Sequence, residues 1–152
     1  MRKTKLEKTF QSEFSKSVKN HFNNLQIPYY YKKIKDLGDQ NPYDCFLRFN
    51  KQHIAFELKM NSSVKTFNFR QMFYKREHEL YHLALEEQIG FKGYVIINHY
   101  LRTHQINAIF CLSVNQTIQY HKKGSVQLEE IEKDTIKLSK VKGFIDLTKI
   151  IT

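Results

Sequence analysis

The sequence contains no long apolar run; stretches such as Tyr94 to Ile97 are only a few residues. That excludes a transmembrane helix, which needs about 20 apolar residues in succession. No apolar segment follows the basic start Met1-Arg2-Lys3-Thr4-Lys5, so no cleaved secretory leader is expected. Cysteine is scarce: Cys45 and Cys111 sit in apolar surroundings and form no C-x-x-C pair. They are expected to be reduced and buried, which fits a cytoplasmic protein without disulfide staples. There is no internal repeat and no low-complexity segment. Acids are also few, 15 against 25 Lys and Arg, leaving a net charge of +10.

What is present suits one domain. A chain of 152 residues buries roughly 70% of its unfolded surface, enough for a core without metal or disulfide. With 41% hydrophobic and 26% charged residues, it reads as globular and not as disordered. The positive excess is spread from Arg2 to Lys123 with no block that reads as a tail. A surplus of this size points to a polyanionic partner, most often nucleic acid.

Phe10, Phe14, Val18, Phe22 and Leu25 recur at spacings of three and four, predicting a helix over about Gln11–Leu25. Pro28 ends it. Tyr29–Ile34 reads as a strand, and residues 36–42 as a loop. Tyr43–Phe49 and His53–Met60 read as two strands of a hairpin, Asn68 to about Gln88 as a second helix, and Tyr94–Asn98 and Ala108–Val114 as buried strands. Leu128–Glu132 reads as a short helix and Phe144–Ile150 as a closing segment. The order predicts an α/β layered domain whose first strands form a meander.

The chemistry concentrates in Asn41-Pro42-Tyr43-Asp44-Cys45-Phe46-Leu47 and Ala55-Phe56-Glu57-Leu58-Lys59-Met60. A hairpin turning at Asn50-Lys51 places Asp44 opposite Glu57, Tyr43 opposite Leu58, Cys45 opposite Phe56 and Leu47 opposite Ile54. One face of that hairpin is apolar; the other carries Asp44, Glu57 and, two residues on, Lys59. Opposed carboxylates repel unless a cation neutralises them, and hard oxygen ligands suit Mg²⁺. Such a site predicts metal-assisted phosphodiester hydrolysis, with Lys59 orienting water or stabilising charge on the phosphate.

Asp44 followed by Glu57-Leu58-Lys59 resembles the PD-(D/E)xK nuclease signature, here with Tyr43 between Pro42 and Asp44. Within that superfamily the chain most resembles RecU-type Holliday junction resolvases. Lys65-Thr66-Phe67, His78-Glu79-Leu80-Tyr81-His82-Leu83, Gly93-Tyr94-Val95-Ile96-Ile97 and the C-terminal Phe144-Ile145-Asp146-Leu147 are similar to segments of that family. The resemblance implies a restriction-endonuclease-like core: a helix, a three-stranded meander, a helix and further strands in a mixed sheet. It implies a homodimer that nicks four-way DNA junctions symmetrically with Mg²⁺ or Mn²⁺. Asp44 and Glu57 would be metal ligands and Lys59 the catalytic lysine. Glu13 would be the acid of the first helix, and Glu79 a further metal-side group with Gln71 as its rival. Lys32, Lys33, Lys65, Arg70 and Gln71 would contact DNA. The chain departs from the family in one respect: only Ile34 to Asn41 stands where a long basic stalk is expected.

Two other readings share these residues. His78-Glu79-Leu80-Tyr81-His82 satisfies H-E-x-x-H, the pattern of a zinc metallopeptidase, but residue 85 is Leu, where the extended motif needs glycine. The Lys32/Lys33 pair after Tyr29-Tyr30-Tyr31 would suit a non-catalytic module that binds DNA by backbone contacts and base stacking. Such a module has no use for two acids where phosphate must approach.

Overall fold

The structure is a computed structural model describing residues 4–35 and 41–151. Helix α1 spans Lys5–Leu25, starting a turn and a half before the expected point because Thr4 caps it: its hydroxyl accepts the Glu7 N–H at 3.2 Å. Gln26 ends the helix in the left-handed region (φ 55°). Phe10, Phe14, Val18 and Phe22 are buried on one stripe.

Strand β1 (Tyr30–Lys33), β2 (Cys45–Phe49) and β3 (Gln52–Asn61) form the antiparallel meander. Asn50 (φ 45°) and Lys51 (φ 63°) make the two-residue turn between β2 and β3. Two successive positive φ angles give a turn whose twist matches the flanking strands. Of the loop expected over 36–42, residues 36–40 lie outside the described residues.

The second helix differs from expectation. Its start is taken by strand β4 (Thr66–Asn68), and the rest divides into α2 (Phe69–Met72) and α3 (Glu77–Gln88). The Asn68 side chain caps α2 by accepting the Gln71 N–H, and Lys75 adopts φ 57° between the two pieces. The charged Arg76-Glu77 interruption of the apolar stripe marks this break.

Strand β5 (Lys92–Leu101) returns parallel to β3, a 3₁₀ turn over Arg102–His104 follows, and β6 (Ile106–Ser113) runs back beside β5. Helix α4 (Val114–Lys123) and strand β7 (Ser125–Gln127) carry no expectation from the sequence; a Ser113/Gln116 capping box starts α4. Helix α5 (Leu128–Asp134) extends the short helix expected there, and β8 (Ile136–Leu138), β9 (Lys140–Val141) and β10 (Phe144–Ile145) complete the chain.

The main sheet has the order β1-β2-β3-β5-β6-β8, with β3–β5 its parallel pair. The α/β class and the order of helix, meander, helix and further strands are as expected. One face packs on α1 and the C-terminal residues Ile145, Leu147, Ile150 and Ile151; Phe14 meets Phe56 there edge-on at 5.0 Å. The other face packs on α2 to α5 through Phe69, Phe73, Leu83 and Ile131. Gly93 lets α3 and α4 approach β5: a Cβ there would lie 2.9 Å from the Val114 side chain. Neither Cys45 nor Cys111 forms a disulfide, and both are buried. Among the described residues no helix is long and apolar enough to cross a membrane.

Candidate active site

The β2–β3 ladder pairs Cys45 with Phe56 and Leu47 with Ile54, the register expected from the pattern. All four are buried on the α1 side. The ladder ends at Cys45. Asp44 instead donates its N–H to the Phe56 carbonyl (3.1 Å) and accepts the Leu58 N–H on Oδ2 (2.8 Å). The carboxylate thus takes an amide that a continued ladder would give to a main-chain carbonyl. Tyr43 therefore does not face Leu58. It packs with the helices on the opposite side of the sheet, and its hydroxyl donates to Glu86 at 2.6 Å.

The Asp44 carboxylate is also fixed by α1, since Gln11 Nε2 donates to Oδ1 at 3.1 Å. Asp44 and Gln11 are both buried, as is Glu57. Lys59 Nζ lies 3.3 Å from Glu57 Oε1 and donates to Glu79 Oε1 at 2.8 Å. Its ammonium also rests over the Phe73 ring, 4.7 Å from the centroid. Arg76 approaches the other Glu79 oxygen at 3.7 Å. Three buried carboxylates therefore share this end of the sheet with two cations.

Their protonation follows from that imbalance. Burial, then the Asp44 charge, push the Glu57 carboxyl well above the usual carboxylate range, and Lys59 opposes them. Burial pulls the Lys59 ammonium down, but Glu57 and Glu79 outweigh it and its pKa ends above the ordinary lysine value. Lys59 is thus held charged. With three carboxylates against two cations, Glu57 is the group that holds its proton to higher pH than an ordinary carboxyl.

The same residues fit a divalent cation. Glu57 Oε2 is buried and receives no N–H or O–H donor among the described residues, and the Glu57 carboxyl lies against the carboxyl groups of Asp44 and Glu79. A cation would replace the Glu57 proton and satisfy this oxygen. Among the described residues no three His, Cys, Asp or Glu side chains are gathered tightly enough to enclose an ion alone. Mg²⁺, which keeps waters and takes phosphate oxygens beside one or two carboxylates, would fit the Asp44–Glu57 pair.

Glu57 and Lys59 open into a cavity of about 470 Å³, also lined by Glu7, Asn68, Gln71 and Arg76. Glu13 is not brought to it. Two residues along a helix from Gln11 is more than half a turn, and Glu13 instead pairs with Lys140 at 2.8 Å. The α1 acid lining the cavity is Glu7, one turn before Gln11 on the same face. The sequence reading does not single out either one; the spacings of three and four that link the Thr4 cap, Glu7 and Gln11 are the signal that finds them.

Glu79 reaches the site but is engaged by Lys59 and Arg76, whereas Gln71 faces the cavity. Arg70, beside Gln71, donates to the Lys122 carbonyl at 2.9 Å and packs on Gly124. Together with Tyr74, Lys123 and Ser125 they line a second groove adjoining the first. Lys65 is exposed at the start of β4, and Lys32 and Lys33 are exposed on the edge strand β1, beside β2.

The H-E-x-x-H pattern does not form a metal cradle. His78 Nε2 lies 3.0 Å from the Asn41 carbonyl, which can only accept, so that nitrogen carries a proton. Glu79 turns inward to Lys59.

No family model matches the chain, and no curated protein matches it. Among solved structures it is similar to Hjc, a Holliday junction resolvase from Archaeoglobus fulgidus, with a TM-score of 0.49 and 12% identity over 81% of this chain and 94% of that one.

Proposed function

We propose that the protein is a metal-dependent endonuclease of the PD-(D/E)xK type that cleaves branched DNA. The observation that carries the reading is the pairing of Asp44 with Glu57, one of whose buried oxygens lacks a donor, beside a charged Lys59 at an open cavity.

Asp44 and Glu57 would hold Mg²⁺ or Mn²⁺, with Glu7 across the cavity as a further carboxylate. The bound metal supplies polarisation of the scissile phosphate and a more acidic water. The side chains do the rest. Leu58 N–H and Gln11 hold the Asp44 carboxyl group in its orientation. Glu57 gives up its proton to act as a ligand. Lys59, kept positive by Glu57 and Glu79, donates to a phosphate oxygen and stabilises charge developing there; a charged amine does not serve as a base. Arg70, Gln71, Lys65, Lys32 and Lys33 hold the backbone through phosphate contacts.

The four-way junction as substrate, and a homodimer cutting it symmetrically, are supported by the resemblance to RecU-type resolvases. A two-fold dimer presents two identical sites to a substrate of approximate two-fold symmetry. The test is cleavage of four-way junction, flap and linear duplex by purified protein, with Mg²⁺ and with chelator, and with Lys59→Ala. Metal-dependent, Lys59-dependent paired nicks at the crossover are expected. Cleavage that persists in excess chelator refutes the metal reading. Tight binding with no cleavage by the wild type in Mg²⁺ or Mn²⁺ leaves a binding module.

A further inference from the structure

The groove beside the acidic cavity measures about 500 Å³, and Asn68, Gln71 and Tyr74 line both, forming the wall between them. Among the described residues no acid lines the groove, whereas Glu7 and Glu57 line the cavity across the wall. Arg70 and Lys123 give the groove its charge. The Arg70 guanidinium is held in one pose: it donates to the Lys122 carbonyl at 2.9 Å and lies against Gly124, where a Cβ would come within 3.3 Å of it. A planar fork of donors fixed in this way suits a phosphate. Lys123 reaches Glu130 at 2.9 Å in an exposed pair, which is weak enough to yield to a phosphate.

The dividing wall carries an open aromatic ring. Tyr74 is 60% exposed, while its neighbour Phe73 is buried with the Lys59 ammonium over its ring at 4.7 Å. Successive Cα atoms are about 3.8 Å apart, so the exposed ring stands one residue from the platform under Lys59. Lys75 then enters the left-handed region (φ 57°), uncommon for a residue with a Cβ, and its ammonium lies 5.5 Å from the Tyr74 ring centroid. An accessible ring flanked by cations is the combination that holds single-stranded nucleic acid: the ring takes a base and the cations take the backbone.

We infer that this groove receives an unpaired stretch of the DNA strand that is cut in the cavity, with one base stacked on Tyr74 and its phosphates beside Arg70 and Lys75. A base inside a duplex has both faces covered by its neighbours and has none to offer Tyr74. A base at a flap, an overhang or an opened branch point has one. Selection of branched over linear DNA therefore rests on this ring. Every base has a stacking face, so no base preference accompanies it.

The inference rests on the nuclease reading for the cut itself, but its test reads binding. Full-length protein is titrated in chelator with a labelled blunt duplex and with the same duplex carrying an unpaired arm. The wild type is expected to bind the armed DNA at least about fivefold more tightly. Tyr74→Ala, at an exposed position, should bring the armed DNA down to the level of the blunt duplex, and Tyr74→Phe should keep the advantage. With 5-iodouracil in the arm next to the duplex, irradiation should crosslink the peptide that holds Tyr74. Equal binding of the two DNAs by the wild type, an unchanged ratio in Tyr74→Ala, or crosslinks confined to other peptides overturns the inference. A Tyr74-dependent preference for the arm in a protein that cuts nothing in Mg²⁺ or Mn²⁺ supports the groove and refutes the nuclease reading. Cleavage without any arm preference overturns the groove and leaves the nuclease.

Discussion

The carboxylate of Asp44 accepts the main-chain N–H of Leu58 at 2.8 Å, across the end of the β2–β3 hairpin. One side chain therefore has two duties, terminating a strand pairing and placing a buried carboxylate beside Glu57. Asp44→Ala would leave the Leu58 amide and the Gln11 carboxamide without their acceptor. Each buried unsatisfied group costs about 1–3 kcal/mol. Asp44→Asn keeps an acceptor of the same shape and should lose less stability, while losing cleavage as completely as Asp44→Ala. Urea unfolding and a junction-nicking assay on both variants check this. Equal stability of Ala and Asn variants would show that the Leu58 bond does not matter.

Glu7 and Glu13 should behave differently despite their shared helix. Glu7→Gln removes a carboxylate from the cavity wall and should reduce metal-dependent cleavage. Glu13→Gln only breaks the partly exposed pair with Lys140. It should cost under about 1 kcal/mol and leave cleavage unchanged. Parallel rates and melting curves decide it; loss of cleavage in Glu13→Gln with Glu7→Gln unaffected would reverse the assignment.

Metal binding should release a proton from Glu57. Its folded pKa is raised, so the stability it lends the metal-free protein is present at low pH and is lost as pH rises through the folded value. Mg²⁺ should therefore raise the melting temperature more at pH 8.5 than at pH 6. The Glu57→Gln variant should lose that pH dependence. A Mg²⁺ shift of equal size at both pH values in the wild type would contradict a proton held on Glu57.

Acid should destabilise the fold by a separate route. His21 and His53 are both held below their ordinary pKa by burial, and the Nε2 of each is buried without a partner. An unfolded histidine takes its proton at about pH 6.5. Their contribution is therefore present above that pH and is lost as pH falls toward the folded values. Melting temperature against pH, for wild type and His53→Phe, should show a shallower acid-side fall in the variant. Identical slopes would count against it.

DNA binding should weaken steeply with salt. If about five phosphates are contacted, log K should fall against log salt with a slope of about −4 to −5. A slope near zero, measured by fluorescence anisotropy in chelator, would be incompatible with the +10 charge acting on a nucleic acid.

The sequence pattern carried the hairpin register because alternation and a two-residue turn constrain each other. Cys45, Leu47, Ile54 and Phe56 could be buried together in only one way. The break at Lys75 was harder to see, because a left-handed lysine carries no glycine or proline to announce it. The same holds at Asp44, where a side chain replaces a main-chain partner and turns Tyr43 to the other core. Helix α4 was invisible to apolar periodicity; its Ser113 and Gln116 capping pair marks its start. Among the proposed groups, Asp44, Glu57 and Lys59 were legible because they share a local hairpin. Glu7 and Gln11 were not, since their approach to it is set by how α1 lies across the sheet.

The parallel pairing of β3 with β5 bears on how the molecule comes together in time. The meander is local, and a hairpin with a two-residue turn forms within microseconds. The partner of Lys59 is not local: Glu79 lies in the crossover that must be closed before β5 can dock. Long-range closures of this kind are slow steps. Until it happens, the nascent chain holds Lys59 without its clamp and the two hairpin acids without a wall against water. A chain stalled before this crossover closes would lack the Lys59–Glu79 contact and with it part of the acidic centre.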